Sequence, residues 1–217
     1  MPFVRIELAA LSVIDGGLAV LLGRRTEAPY QGRWALPGGA LRIDLDASLD
    51  DAAQRVAQER LNARVPYLRQ QGAVGGPSRD PRAPWALSVV YRALVARDAF
   101  AATPGKRLEA LRWWPVERVE AEARPAFDHA ALVGGAVAAL RAEVDRLEIP
   151  FGFAPAAFTL SELQALCEAL LGRRLDKSSF RRRLADRGLV EAIQGESRGG
   201  ANRPAQLFRC AHKSNNR

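Results

Sequence analysis

Gly32-Arg33-Trp34-Ala35-Leu36-Pro37-Gly38-Gly39 is the stretch that decides the fold of this 217-residue chain. Gly32 to Leu36 enter the breaker Pro37-Gly38-Gly39. Downstream, a helix is expected from about Leu49 to Leu61. Ser48 reads as its N-cap, Asp51 falls at capping-box spacing, and Leu49, Ala52, Ala53 and Val56 form its apolar stripe. Upstream, Val4 to Leu22 read as a hairpin turning at Asp15-Gly16-Gly17, because that turn needs positive φ. Arg24 to Gln31 follow as a polar loop. Trp85 to Val95 and Leu111 to Val116 have strand character, and Ala130 to Leu147 is a long helix weakened by Gly134-Gly135. Strands and helices mixed in this order indicate an α/β or α+β sandwich.

A hydrophobic fraction of 48% excludes wholesale disorder. Cys167 and Cys210 have no partners at metal-ligand spacing, so neither a disulfide framework nor a metal cluster is expected. Arg5 and Glu7 interrupt the short apolar start, and no apolar run approaches the ~18 residues of a membrane span. The expectation is a soluble, cytoplasmic protein. Charge is uneven along it. Residues 155 to 217 hold 12 basic and 6 acidic side chains, whereas the first 154 hold 20 and 18. A nearly neutral domain followed by a basic one points to a polyanionic partner for the C-terminal part, the bland alternative being a solvated basic tail. Ile149 to Pro155, with two prolines and a glycine, is the expected linker, dividing the chain into domains 1–150 and 151–217.

The glycine segment and the helix after it resemble the Nudix family, whose α/β/α sandwich carries a helix patterned Arg-Glu-apolar-x-Glu-Glu-x-Gly. Helix glutamates at i, i+3 and i+4 share a face, and a hard Mg²⁺ ion wants several carboxylate oxygens beside a diphosphate. Aligned on Ala52-Ala53, Arg55 and Glu59 match the pattern. Val56 and Arg60 replace two metal-binding glutamates, and Asn62 replaces the glycine. The segment Ala40 to Leu49 is about two residues longer than the family's, and its expected glutamate falls nearest Leu45, between Asp44 and Asp46. Arg60 puts a like charge where the cation would sit, opposing it by about 4 kcal/mol at ~4 Å and an effective dielectric of ~20. The metal site therefore reads as dismantled, with Glu59 residual; no metal, no catalytic residue and no cofactor are expected. A pocket can outlast its metal. Arg24, Arg25, Arg33 and Arg42 are candidates to hold a diphosphate, since guanidinium forks match phosphate oxygens, or else are solvated surface arginines. Asp128 is a natural cap for the long helix, and His129 reads as a ligand contact or a structural histidine.

The basic part begins with a second pattern. Thr159 and Glu162 have capping-box spacing, Leu160, Leu163, Leu166, Leu170 and Leu171 make an apolar face, and Gly172 ends the helix. After a tight turn, Asp176 caps a helix from Lys177 to Arg187, so the two form a helix-turn-helix. Phe180 and Leu184 face inward, leaving Lys177, Ser178, Ser179, Arg181 and Arg182 for phosphates and base edges. Leu189 to Ile193 and Gln206 to Arg209 read as a hairpin whose loop carries Arg198 and Arg203, a wing. The alternative is a small helical domain with a solvated basic face.

Together the halves resemble the Nudix-related transcriptional regulators of bacterial NAD metabolism. The resemblance rests on the glycine segment, Phe127-Asp128-His129-Ala130, Phe158-Thr159-Leu160-x-Glu162-Leu163-Gln164, Leu175-Asp176-Lys177-x-x-Phe180-Arg181-Arg182 and Arg203-Pro204-Ala205. It implies a Nudix half that senses ADP-ribose or a related nucleotide, and winged helices of a homodimer that repress a palindromic operator until ligand releases them. Two alternatives stand beside it: an active Nudix pyrophosphatase tethered to nucleic acid, opposed by Val56 and Arg60, and a constitutive DNA-binding protein with a Nudix scaffold.

Overall fold

Asp15 and Gly16 both hold positive φ (50° and 76°) and turn the chain between β1 (Phe3–Ile14) and β2 (Gly17–Arg25). The hairpin is the centre of a seven-stranded sheet in this computed structural model, which describes residues 3–148, 153–199 and 204–211. β1 pairs in parallel with β6 (Trp85–Leu94), whose outer edge takes β5 (Arg69–Pro77) antiparallel. β2 pairs with β7 (Leu108–Pro115) and with the short β3 (Trp34–Ala35), and β4 (Gly38–Ala40) lies against β1. Helix α1 (Leu49–Leu61) forms between β4 and β5 with the expected bounds: Ser48 Oγ accepts from Asp51 N at 3.1 Å, and Asn62 closes it in the left-handed region. Asn is the residue after Gly that tolerates this conformation best, so the substitution keeps the cap. Asn62 Nδ2 also donates to Thr103 Oγ1 and Pro104 O, both at 3.1 Å.

The two-residue period of β1 sorts its faces. Ile6, Leu8 and Ala10 pack with Ala52, Ala53, Val56, Ala57 and Leu61 of α1 in one buried cluster. Glu7 points to the other face, where His129 at the start of α2 (His129–Asp145) lies 3.9 Å away. Gly134 and Gly135 stand inside α2 on its exposed side, with open space where a Cβ would project, so they weaken propensity without breaking the helix.

The chain divides into two compact units, Met1–Leu140 and Arg141–Arg217. The division falls inside α2, upstream of the linker expected at 149–155; residues 149–152 of that linker lie outside the described residues. The second unit holds α3 (Leu160–Leu171), α4 (Lys177–Asp186), β8 (Val190–Arg198) and β9 (Ala205–Cys210). Thr159 and Glu162 complete a reciprocal capping box, worth about 1 kcal/mol, and Gly172 ends α3 at φ 70°. Leu163, Cys167, Leu170 and Leu171 are the buried positions of α3, so Cys167 belongs to the stripe in which Leu160 and Leu166 are only half-buried. Burial pushes the Cys167 thiol up to about 12, leaving it an inert core filler. Phe158 exchanges backbone hydrogen bonds with Phe208 at 2.9 and 2.8 Å, adding a one-residue third strand to the β8–β9 hairpin.

Candidate functional site

The Pro37-Gly38-Gly39 turn is pressed between β1 and α1, and both glycines are needed for clearance. A Cβ at Gly38 would lie 1.7 Å from Glu7 Oε2, and one at Gly39 would lie 2.9 Å from Val56 Cγ2. Glu7 is fully buried and accepts from Arg5 Nε at 2.6 Å. The neighbouring Leu36 N–H donates to His129 Nδ1 at 2.9 Å, so the start of α2 is fastened to the same turn. Burial, above all, holds His129 below its ordinary value of 6.5 and therefore neutral.

On the metal face of α1 the carboxylates are replaced by other groups. Val56 is fully buried. Arg55 takes Asp46 bidentately, at 2.6 and 2.7 Å, and reaches the Ala40 carbonyl at 2.9 Å. Asp46 thus fills the place of the glutamate expected near Leu45, and the Arg55 hydrogen bonds hold its carboxyl below the usual range. Leu45 itself is exposed, and Asp44 pairs outward with Arg42 at 2.7 Å. Arg60 is buried, donating from Nε to the Gly38 carbonyl at 2.8 Å and from Nη1 to the Lys106 carbonyl at 2.7 Å. Glu59 faces Arg55 at 3.5 Å and Lys106 Nζ at 3.9 Å. A Mg²⁺ ion needs six oxygens and reluctantly gives up water. Its donor set here has shrunk to one carboxylate already facing two cations, beside a guanidinium. Among the described residues no three His, Cys, Asp or Glu side chains come together as a metal-holding group. The residues do not fit the ion.

What remains is a cleft lined by five arginines: Arg5, Arg25, Arg60, Arg82 and Arg107. Of the arginines expected from the sequence, only Arg25 is among them. Arg24 lies at the surface, pairing with Glu109 at 3.0 Å; Arg33 donates to the Arg124 carbonyl; Arg42 is with Asp44. Arg5 reads in the sequence only as an interruption of the apolar first strand, and Arg82 and Arg107 lie in loops far off in sequence, so only tertiary folding brings them in. An aromatic wall adjoins them. Arg25 lies over the Phe127 ring at 5.2 Å, and Arg82 lies over Phe127 at 5.7 Å and Phe3 at 5.1 Å. Phe127 meets Tyr30 edge-on at 4.8 Å, and both hold positive φ (56° and 63°). Bulky residues rarely adopt that region, and such strain gathers at ligand sites. Asp128, expected as a cap, gives both carboxylate oxygens to Arg79, at 2.6 and 2.9 Å, while its carbonyl accepts from Leu132 N.

In the second unit, Phe180 and Leu184 are the buried residues of α4, and Asp176 caps it by accepting from Ser179 N at 2.8 Å. The expected reader residues then separate. Lys177, Ser178 and Arg182 are exposed, whereas Ser179 is half-buried. Arg181 turns back to α3, with Nη2 3.3 Å from Ser161 Oγ. Arg198, expected in the wing loop, is the last residue of β8, opposite Ala205, and pairs with Glu162, the capping-box glutamate, which ties the loop end of the hairpin to the start of α3. Arg203, expected in the wing loop, lies outside the described residues, as do residues 200–202.

Comparison with known proteins matches residues 5–133 to the NUDIX domain and residues 150–210 to the NrtR DNA-binding winged helix domain. The chain is 36% identical over 210 residues to the ADPR responsive transcriptional repressor NtrR of Acinetobacter baylyi, covering 97% of this chain and 82% of that one. The chain belongs to the NrtR family. Among solved structures it is similar to Shewanella oneidensis NrtR complexed with a 27mer DNA, at TM-score 0.78 and 32% identity, over 96% of this chain and 93% of that one. The first unit is similar to the NUDIX domain of Shewanella oneidensis NrtR complexed with ADP ribose, at TM-score 0.60 and 31% identity, covering 64% of this chain and 89% of that one. The NrtR chain here is thus a mixed α/β protein, a Nudix domain followed by a winged helix, as the two sequence patterns implied.

Proposed function

We propose that this chain is a transcriptional repressor that binds duplex DNA through its winged helix and is released when its Nudix domain takes ADP-ribose. The observation that carries the reading is Arg60 in place of a metal-binding glutamate, hydrogen-bonded to the Gly38 carbonyl inside an arginine-lined cleft, in a chain that continues into an NrtR winged helix. A cleft rich in guanidinium groups binds a diphosphate, and one without a metal's carboxylates retains it unhydrolysed. The Acinetobacter repressor and the Shewanella complex with ADP ribose support the same assignment.

In this reading residues 1–150 sense the effector, and residues 151–217 bind DNA. The cleft arginines replace Arg24, Arg33 and Arg42 as diphosphate contacts, Arg25 is kept, and His129 braces the site. Lys177, Ser178 and Arg182 read the groove; Ser179 and Arg181 support them, and Arg198 and Arg203 belong to the wing. One winged module makes too few contacts for selectivity, so two act as a homodimer on a palindrome with half-sites about 10 bp or a multiple apart. The protein works where that DNA is, in the cytoplasm; among the described residues no helix is long and apolar enough to cross a membrane.

Fluorescence anisotropy of the full chain on the duplex upstream of its own gene tests the reading. Saturable binding that weakens on adding ADP-ribose is expected; tight binding indifferent to ADP-ribose would favour a Nudix scaffold.

A further inference from the structure

The five arginines of the cleft are not equivalent. Arg5 is neutralised by Glu7, Arg82 by Asp80 and Arg107 by Glu27. Arg25 and Arg60 make no ion pair among the described residues: both donate to backbone carbonyls, and Arg25 also lies over the Phe127 ring. Arg25 donates to Pro29 O at 2.8 Å and Glu27 O at 3.3 Å; Arg60 donates to Gly38 O at 2.8 Å and Lys106 O at 2.7 Å. Each guanidinium carries five N–H donors, and these bonds use two of them. The cleft therefore holds two guanidinium groups with spare donors and, among the described residues, no carboxylate paired to them. A nucleotide diphosphate ester carries two negative charges and presents acceptor oxygens on both phosphates.

Arg60 is also fixed in position. The loop after Ala102 caps the end of α1: Thr103 N donates to Leu61 O at 2.9 Å, Gly105 N to Arg60 O at 3.0 Å and Lys106 N to Glu59 O at 2.7 Å. A Cβ at Gly105 would lie 2.3 Å from Glu59 O, so only glycine lets the loop come this close. The same loop supplies the Lys106 carbonyl that holds Nη1. A cation at a helix C-terminus is further stabilised by the helix dipole. Burial, and the neighbouring Arg107 charge after it, hold the Arg60 guanidinium below its ordinary value, and burial with Arg82 does the same to Arg25. An arriving anion relieves that repulsion.

We infer that Arg60 is the built-in cation of this cleft, and that with Arg25 it binds a diphosphate without any divalent metal. The inference rests on the effector reading above and specifies its chemistry: charge a Nudix enzyme recruits from solution as Mg²⁺ is here part of the chain. Arg60 is a ligand-binding residue in this account, and added metal has nothing left to do.

Calorimetry on the full chain tests it, with ADP-ribose and with inorganic pyrophosphate, in EDTA and, for ADP-ribose, also in Mg²⁺. The affinity for ADP-ribose should agree within about twofold between EDTA and Mg²⁺. Arg60→Gln should weaken it by about tenfold or more, the scale of a lost charge-assisted hydrogen bond. Arg25→Gln, which removes the other guanidinium and keeps an amide donor toward the Pro29 carbonyl, should weaken it by a similar factor with the fold intact, and Arg24→Ala should leave it unchanged. Should Arg60→Gln fail to fold, the EDTA comparison on the parent and Arg25→Gln decide. ADP-ribose binding only with Mg²⁺, or Arg60→Gln binding as the parent does, overturns the inference while leaving the effector reading intact. Pyrophosphate bound in EDTA and lost in Arg60→Gln, with ADP-ribose not bound, overturns the effector reading and leaves the cleft chemistry standing.

Discussion

Arg60 Nε donates to the carbonyl oxygen of Gly38 at 2.8 Å, tying the last turn of α1 to a glycine 22 residues earlier. In the Nudix helix pattern this position is a glutamate; here it is a cation. The glycine turn, the helix and the loop at Lys106 survive as a scaffold, while the group they present has changed sign. Retained shape with inverted charge is what the proposed metal-free binding of a diphosphate rests on.

The first consequence concerns chemistry. The full chain incubated with ADP-ribose and Mg²⁺ or Mn²⁺ should release no AMP, because Val56 and Arg60 leave a metal one carboxylate. Product analysis by chromatography checks this. Steady turnover that disappears in Glu59→Gln would show a working metal site and contradict the account.

Gly38→Ala should destabilise the first unit severely. Its Cβ would fall 1.7 Å from Glu7 Oε2, and Glu7 cannot retreat because it is fully buried and bonded to Arg5. Overpacking of this kind costs about 3 kcal/mol, and urea denaturation would read it as a lower midpoint. A midpoint equal to the parent's would mean that the turn is not seated against Glu7.

His129 gives a pH dependence of definite sign. Burial lowers its pKa from 6.5, so below that value the unfolded chain takes up a proton that the folded chain refuses. This contribution to stability is complete above about 6.5 and is lost as pH falls toward the depressed folded value, at up to about 1.4 kcal/mol per pH unit. Thermal unfolding between pH 7 and 5 should show a steeper fall for the parent than for His129→Asn, whose amide oxygen can still accept from Leu36 N–H. Parallel curves would refute the assignment.

Elements with local signals were legible in the sequence: the Asp15-Gly16 turn, α1 with Ser48, and α3 with its Thr159–Glu162 box each carry their own start and stop. β5 was missed because Arg69–Pro77 holds three glycines and no alternation, its strand state coming from pairing with β6. β4 was hidden in the Gly38-Gly39 breaker, and the one-residue strand at Phe158 is visible only against Phe208. The family, and Val56 and Arg60 as departures from its helix pattern, could be read because motif spacing is local. The cleft could not. Its arginines come from β1, β2, α1 and two loops, and whether an arginine faces a cleft or a neighbouring carboxylate is settled by packing. Arg24 and Arg25 are adjacent in sequence, yet strand alternation sends one to Glu109 and the other to the cleft.

On the DNA side, the exposed cations of α4 should matter more than the engaged one. Arg182→Ala and Lys177→Ala should each lower the salt slope of binding by about one unit if the side chain meets a phosphate. If it reads a base, the loss is about 1–3 kcal/mol with relaxed preference at one position. Arg181→Ala should lose less, its guanidinium being given to Ser161. Salt-titrated anisotropy on palindromic and scrambled duplexes separates these cases, and parent-like behaviour of both Arg182→Ala and Lys177→Ala would remove α4 as the reader.

The central claim is that a metal-free arginine cleft and the winged helix are coupled, and linkage gives it a direct measurement. If ADP-ribose weakens DNA binding by some factor, DNA must weaken ADP-ribose binding by the same factor. Calorimetric titration of ADP-ribose into the full chain in EDTA, with and without saturating operator duplex, reads that factor. ADP-ribose should bind tightly without DNA and at least fivefold more weakly with it, matching the shift in DNA affinity measured in the reverse direction. Equal ADP-ribose affinities with and without DNA would contradict the coupling.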